Sequence, residues 1–190
     1  LRSQALTVHA LAPTLQALKA HVFNHTIWPD FTAIPSPEAP FVRFQPLEVG
    51  QQLSVGGKVV EVLPAVHTVP AVGYAVAGDQ GHWVFSGDTE RNPAFWQRVN
   101  QLDVAMLVIE TAFSERELEL ALRSQHLCPS LLAEELQHLD RARQPDLRIA
   151  ITHTKPMERE LIAAEVAQMG LDTAHPLLWL EAGQVFDFSA

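Results

Sequence analysis

Three short apolar runs in this chain each end at a residue that can bind a metal ion, and each is followed by a turn. They are residues 62–67, 83–88 and 147–153, which end at His67, Asp88 and His153 respectively. Ligands collect at strand ends in layered α/β folds, because a rigid sheet fixes the side chains while the loops leave a cleft above them. The pattern therefore favours a layered fold with a site at one edge of its sheet.

Each of these residues has a simpler interpretation when it is taken alone. A lone histidine at a strand end is usually held by a hydrogen bond, and a lone aspartate there often forms a turn or caps a helix. The order and context of the three together favour a metal site. Cys128 is the only cysteine, so a metal would be held by imidazole and carboxylate groups, which suit zinc or manganese.

The first half of the chain reads as a strand, a helix and then a series of strands. Residues 6–11 predict a strand, residues 15–23 have helical spacing, and four prolines within residues 29–40 exclude a regular element. Short, mostly antiparallel strands are predicted at residues 41–44, 52–55, 58–63, 73–76 and 82–85.

The second half alternates helices with buried strands. Helices are predicted at residues 93–100, 115–124, 130–139 and 156–169, and strands at residues 104–109 and 147–152, with a β-like tail at 177–186. Ser130 is a candidate N-cap, and Pro156 and Gly170 are candidates to begin and end the last helix. An α/β or α+β layered sandwich is the resulting prediction.

The charge balance and the apolar runs limit the possible partners. A net charge of −9 disfavours broad nucleic-acid binding. No apolar run reaches the roughly 20 residues that span a bilayer, so no membrane partner is expected. Cysteine poverty fits the cytoplasm and fits a disulfide-free periplasmic protein almost as well.

Two further residues can carry chemistry. His126 precedes the helix that starts near Ser130 and can serve as a general acid, or can be a polar loop histidine. Glu110 ends the strand at 104–109 and can orient a neighbouring group, or can be a solvated strand-end carboxylate.

Six segments together resemble a known family. They are HVFNHTIWPDF (21–31), VHTVPAVGYAV (66–76), VFSGDT (84–89), VIETAF (108–113), QHLCPSLLAEEL (125–136) and ITHTKP (151–156). This set is similar to the metallo-β-lactamase superfamily and, within it, to the class II cyclic-nucleotide phosphodiesterases. The resemblance covers nearly the whole chain and implies an αββα sandwich of the metallo-β-lactamase type, incomplete at the N-terminus.

The resemblance also implies a mechanism and a role for each site residue. His67 would bind the first metal, Asp88 would bridge two metals, and His153 would bind the second. His126 would lie beside the scissile phosphate with Glu110 as its carboxylate partner. The implied activity is hydrolysis of cyclic AMP or cyclic GMP to the 5′-monophosphate by a hydroxide held between two divalent ions, zinc with manganese or iron as alternatives.

The chain departs from the family at the first signature. A His-x-His-x-Asp-His loop is found nowhere in the sequence, and His21 and His25 do not replace it. Residues 1–190 are therefore expected to form a single domain that lacks the N-terminal strands and the first metal loop. Such a chain is expected to bind metal weakly and to be inactive alone.

The substrate contacts are less defined. Asn24 and Trp28 are candidates to line a base pocket, or to cover the core. Lys155 can contact a phosphate, or can be a surface lysine at a helix start. The expected partner is a small cyclic nucleotide, and a homodimer is expected by analogy with the family.

Three other functions can be compared with these sequence features. A tRNA 3′-processing endonuclease of the same superfamily needs a basic arm between the equivalents of His67 and Asp88, and the interval here holds only two strands and a turn. A lactamase or thioesterase does not explain the string around His67 or the position of His126. A non-catalytic binding module on the same scaffold stays open.

Overall fold

The computed structural model describes residues 4–187, and their contacts divide the chain into two compact units, Leu1–Glu48 and Val49–Ala190. In the first unit, strand β1 (Leu6–Leu11) pairs in parallel with β2 (Val42–Leu47), and helix α1 (Ala12–His21) connects them. The predicted strand at 6–11 is confirmed, and residues 29–40 contain neither helix nor strand.

The second unit is built on a seven-stranded sheet of order β3-β4-β5-β6-β7-β8-β9. Its strands are β3 (Gln52–Val55), β4 (Lys58–Pro64), β5 (Val72–Gly78), β6 (Gly81–Phe85), β7 (Val104–Glu110), β8 (Arg148–Thr152) and β9 (Leu177–Trp179). Its helices are α2 (Pro93–Val99), α3 (Leu118–Ser124), α4 (Pro129–Leu136), α5 (Arg159–Gln168) and α6 (Leu171–Ala174).

The direction of each strand follows from the length of its connection. Tight turns join β3 to β4 and β5 to β6, and the pairs from β3 to β6 are antiparallel. Gly56 and Gly57 both have positive φ, as a two-residue hairpin requires. Helical connections precede β7, β8 and β9, which pair in parallel. The prediction of mostly antiparallel strands is confirmed for 52–85, and β2 is the exception because it pairs in parallel with β1.

The strand β7 lies at the centre of the core and is buried on both faces. Leu107 and Ile109 point to the larger apolar cluster, which includes Phe95 and Trp96 of α2. Met106 and Val108 point to a smaller cluster on the other face. Burial on both faces explains why this strand reads in the sequence as an unbroken apolar run.

Several predicted element ends differ from the structure. Ser130 does not cap α4: the helix begins at Pro129, and the Ser130 N–H donates to a carboxylate oxygen of Glu115. A 3-10 turn occupies Glu115–Glu117 before α3. The last long helix begins at Arg159 rather than Pro156, and ends before Gly170, which has a left-handed φ of 68° as expected.

The β-like tail is shorter than predicted. Only Leu177–Trp179 of residues 177–186 form a strand. Among residues 4–187, the longest helices have ten residues, and none is long and apolar enough to cross a bilayer.

Candidate metal centre

The candidate residues follow strands that end at one edge of the sheet. Strands β6, β7 and β8 are parallel, and β4 runs in the same direction because it is antiparallel to β5, which is antiparallel to β6. Their carboxyl ends therefore meet at one edge. His67 follows β4, Asp88 follows β6, Glu110 ends β7 and His153 follows β8.

The structure brings the predicted metal-binding residues together. One potential ligand atom from each of His67, Asp88 and His126 lies within 4.8 Å of the others. The His153 Nε2 atom is 3.5 Å from Asp88 Oδ2, and the His153 ring stacks on that of His126 with centroids 5.1 Å apart. Residues more than 80 positions apart in the chain thus form one cluster of three imidazoles and a carboxylate.

Glu110 is hydrogen-bonded to His126 and to the backbone beside Asp88. Its side chain is fully buried, and its Oε1 atom accepts hydrogen bonds from His126 Nδ1 at 2.6 Å and from the Thr89 N–H at 2.9 Å. Its Oε2 atom accepts from the Leu127 N–H at 3.2 Å. A buried carboxylate with three donors holds the turn after β6 against the loop that carries His126. Glu110 is thus placed to orient His126, and its part in catalysis stays a prediction.

The Nδ1 atoms of two imidazoles are each held by a hydrogen-bond acceptor. The Nδ1 atom of His67 is 3.2 Å from the backbone oxygen of Gln125, and the Nδ1 atom of His126 is held by Glu110. Both partners are acceptors, so each Nδ1 carries the proton and each Nε2 has a free lone pair. Histidines that bind metals are held in this way, with the second nitrogen donating to a carbonyl or a carboxylate.

Thr89 connects two of the ligand-bearing segments, and the sequence analysis did not single it out. Its hydroxyl accepts from the Val66 N–H at 2.9 Å and donates to the Glu90 carbonyl. The Glu90 N–H in turn donates to the Val66 carbonyl at 2.7 Å. These bonds tie the residue before His67 to the residues after Asp88. Thr89 directly follows Asp88 in the string SGDT, and this position next to a candidate ligand is the sequence feature that could have identified it.

Gly87 allows the sharp turn that precedes Asp88. Its φ is 68°, and a Cβ atom there would lie 2.5 Å from the backbone oxygen of Val72. Only glycine fits this turn, because the backbone is left-handed and the neighbouring strand β5 leaves no room for a Cβ atom.

His153 has the least ordinary environment of the cluster. Its φ is 62°, which places a non-glycine residue in the left-handed region. Partial burial lowers the pKa of His153 below its usual value of 6.5, and the Lys155 charge lowers it further, while Asp88 opposes both. The Lys155 Nζ atom lies 2.9 Å from His153 Nε2. Lys155 is therefore directed at the cluster, and it lies four residues before the helix that it was expected to start.

Asn24 and Trp28 belong to the first compact unit. The Asn24 side chain donates to the Ala20 carbonyl and accepts from the N–H groups of Thr26 and Ile27, so it shapes the turn after α1. Trp28 is 55% exposed, with its ring 6.3 Å from that of Phe31. Contact of either residue with a substrate stays a prediction.

The donor chemistry fits a divalent cation. Imidazole nitrogen and carboxylate oxygen are the ligands of zinc, manganese and iron, and His67, Asp88, His126 and His153 supply them at one edge of the sheet. The sheet order and this donor set define a protein of the metallo-β-lactamase fold class.

The comparisons with known proteins agree with this class. The family model described as "Beta-lactamase superfamily domain" matches residues 1–153, and the chain belongs to that family. A relative from Yersinia pestis named "Probable 3′,5′-cyclic-nucleotide phosphodiesterase" is 26% identical over 204 residues, which cover 93% of this chain and 59% of the relative. The chain therefore spans about three fifths of the length of that relative.

Solved structures share the fold. Unliganded yeast PDE1 has a TM-score of 0.73 at 21% identity, over 92% of this chain and 57% of that one. The short form of human tRNase Z has a TM-score of 0.60 at 13% identity, over 100% and 70% of the two chains. Zn²⁺-bound PqqB from Methylobacterium extorquens has a TM-score of 0.53 at 12% identity, over 96% and 62%.

Proposed function

We propose that this protein is a metal-dependent phosphodiesterase that hydrolyses 3′,5′-cyclic nucleotides to 5′-monophosphates. The observation that carries the proposal is that His67, Asp88 and His126 bring potential ligand atoms within 4.8 Å of one another, with the Nδ1 atom of each imidazole already bonded to an acceptor. The choice of substrate is supported by the name of the Yersinia pestis relative.

The metal centre would use the residues that follow the strands. His67, Asp88 and His153 would hold the cations, with Asp88 between them. Two divalent ions in such a site lower the pKa of a bound water towards neutrality and neutralise phosphate oxygens, which lets a protein of net charge −9 handle an anionic substrate. Zinc fits the donor set best, and manganese and iron also fit it.

His126 would supply the proton that the reaction needs. Water adds to phosphorus, the bond from phosphorus to the ribose 3′-oxygen breaks, and that oxygen must gain a proton. His126 lies in the cluster with its Nδ1 atom bonded to Glu110, so the ring is held in position to donate from Nε2 when that nitrogen also carries a proton. The product is then the 5′-monophosphate.

The expected partners of the protein are its substrate and a second copy of the same chain. The substrate is a small molecule rather than a nucleic acid or a membrane surface, with Asn24 and Trp28 as candidates to contact the base. A homodimer and a cytoplasmic or periplasmic location complete the proposal.

A tRNA 3′-processing endonuclease is the second candidate function. The same fold occurs in human tRNase Z, so the fold alone does not separate the two activities. The interval between His67 and Asp88 contains β5, β6 and a tight turn at Asp79 and Gln80, which leaves no basic arm for tRNA.

The test is a substrate panel for the full-length, metal-loaded protein: cyclic AMP, cyclic GMP, bis(p-nitrophenyl) phosphate and a tRNA precursor, with products separated by chromatography. We expect 5′-AMP or 5′-GMP and no 3′-isomer. Cleavage of the generic diester without the cyclic nucleotides would leave a phosphodiesterase of another substrate class. Cleavage of the tRNA precursor alone would favour the second candidate, and no turnover at all would favour a binding module.

A further inference from the structure

Lys155 occupies a place in the cluster that a metal ion would need. Its ammonium donates to His153 Nε2 at 2.9 Å, and that nitrogen is also 3.5 Å from Asp88 Oδ2. An imidazole nitrogen has one lone pair, so it can accept from an ammonium or bind a cation but not both. A zinc ion would lie about 2.0–2.1 Å from this nitrogen, well inside the present position of the ammonium.

The lysine is held by more than this one contact. Its backbone N–H donates to the Ala112 carbonyl at 3.0 Å, which fixes the start of the side chain. Its Nζ atom lies 5.6 Å from the centre of the Phe113 ring, and that ring meets the His126 ring edge to face at 5.7 Å. An aromatic face beside a lysine attracts the ammonium and guides the chain towards the cluster.

We propose that the Lys155 ammonium and a divalent cation occupy the position at His153 Nε2 in turn, and that the released ammonium binds the substrate phosphate. The inference rests on the proposed metal centre. Two cations at close range repel strongly in a half-buried site, so a metal ion bound at His153 Nε2 would expel the ammonium. The fixed backbone and the Phe113 face keep the released group near the cluster, where a phosphate is the anion that can pair with it.

The experiment measures two affinities in the full-length protein. Mn²⁺ is titrated and the free ion is counted by electron paramagnetic resonance. Inorganic phosphate is then titrated into the Mn²⁺-loaded protein by calorimetry. The variants are Lys155→Met, which keeps the length of the stem without the charge, and Lys155→Arg, which keeps the charge. Lys58→Met is the control, because Lys58 is an exposed residue at the start of β4.

The proposal predicts opposite changes in the two affinities. Lys155→Met should bind the weaker Mn²⁺ equivalent at least about tenfold more tightly and phosphate at least about tenfold more weakly, since a unit charge within about 4 Å is removed. Lys155→Arg should retain phosphate binding, and Lys58→Met should match the wild type.

Three results would overturn the inference. Unchanged affinities in Lys155→Met would mean that the ammonium does not compete. A loss of both affinities would mean a structural role for the side chain. If the wild type bound no Mn²⁺ and His67→Ala changed nothing, both the proposed metal centre and the inference would be wrong. If the wild type and Lys155→Met bound Mn²⁺ equally well, only the inference would be wrong.

Discussion

At the scale of single residues, the site depends on groups that orient the ligands as much as on the ligands. Glu110 and the Gln125 carbonyl each fix one imidazole, and the Thr89 hydroxyl ties the segment of His67 to the turn of Asp88. The candidate ligands are therefore held in place by the fold, which would lower the entropy cost of binding a cation.

Replacing Thr89 tests this positioning. Thr89→Val keeps the shape of the side chain but leaves the Val66 N–H without its acceptor, and we expect a loss of about 1–2 kcal/mol in the free energy of unfolding. Metal affinity should fall as well, because one of the two hydrogen bonds that join the segments of His67 and Asp88 is lost. Thr89→Ser restores the hydroxyl and should recover most of both losses. Urea unfolding and a metal titration measure the two effects, and equal behaviour of Val and Ser would contradict the role.

The sequence pointed to the candidate ligands more readily than to the groups that hold them in place. His67, Asp88 and His153 could be found because each ends an apolar run, and Glu110 and His126 because each lies at an element boundary. The Gln125 carbonyl could not be found, since a backbone oxygen has no sequence signature. The position of the Lys155 ammonium also depends on Phe113 and on a turn that the sequence did not define.

At the scale of elements, the turn after β6 sets the position of Asp88 by close backbone contact. Gly87 and Gly170 have the same φ of 68°. A Cβ atom at Gly87 would lie 2.5 Å from the Val72 backbone oxygen. A Cβ atom at Gly170 would have no described atom within 4 Å apart from its immediate neighbours in the chain. The two positions therefore separate backbone strain from steric overlap.

We expect Gly87→Ala to destabilise the fold by about 3 kcal/mol or more, because strain and overlap add. Gly170→Ala carries the strain alone and should cost about 1 kcal/mol. Thermal or urea unfolding measures both variants. A cost at Gly87 no larger than that at Gly170 would mean that β5 moves aside, and the claim of a fixed turn would be wrong.

A second element-scale prediction concerns the pair that joins β4 to α2. Arg98 donates two hydrogen bonds to the Glu61 carboxylate, at 2.6 and 2.8 Å, and this contact lowers the pKa of Glu61 below 4.5. When the pKa of a carboxylate is lower in the folded state than in the unfolded state, its ionised form stabilises the fold. This stabilisation is complete above the unfolded-state pKa and is lost as the pH falls through the folded-state pKa. The pair should therefore stabilise the protein at neutral pH and cease to do so in acid.

Glu61→Gln should lower the free energy of unfolding by about 1 kcal/mol at pH 7, a modest figure because Arg98 is one-third exposed. The difference from the wild type should shrink as the pH falls below 4.5. Glu134→Gln is the control, since its contact with Arg91 is between two exposed side chains and should contribute almost nothing. A difference that stays constant down to pH 3 would contradict the assignment.

The elements themselves were predicted where periodicity is strong. Strand β7 was recovered because burial on both faces leaves an unbroken apolar run, and strands β3 and β4 because two glycines separate them. The start of α4 was not, because Glu115 from a distant turn supplies the acceptor that a local cap would supply. Such a contact depends on the tertiary fold.

At the scale of the whole molecule, this chain spans about three fifths of the length of its Yersinia pestis relative and of yeast PDE1. It brings three imidazoles and one aspartate together as a candidate metal centre, at the edge of the sheet where β4, β6, β7 and β8 end. The family and the fold were predicted from strings that surround these residues. The substrate was not settled by them, because the hydrogen bonds that select a base are formed by side chains whose positions no string specifies.

The most direct measurement of the central claim is the rate of bis(p-nitrophenyl) phosphate hydrolysis by the full-length protein, before and after removal of metal by a chelator and after its return. We expect turnover to be lost when the metal is removed and restored when it is returned. Asp88→Asn should abolish turnover, and Asp79→Asn, in the exposed turn between β5 and β6, should leave it unchanged. Turnover that survives both the chelator and Asp88→Asn in folded protein would contradict the assignment of this cluster as the metal centre.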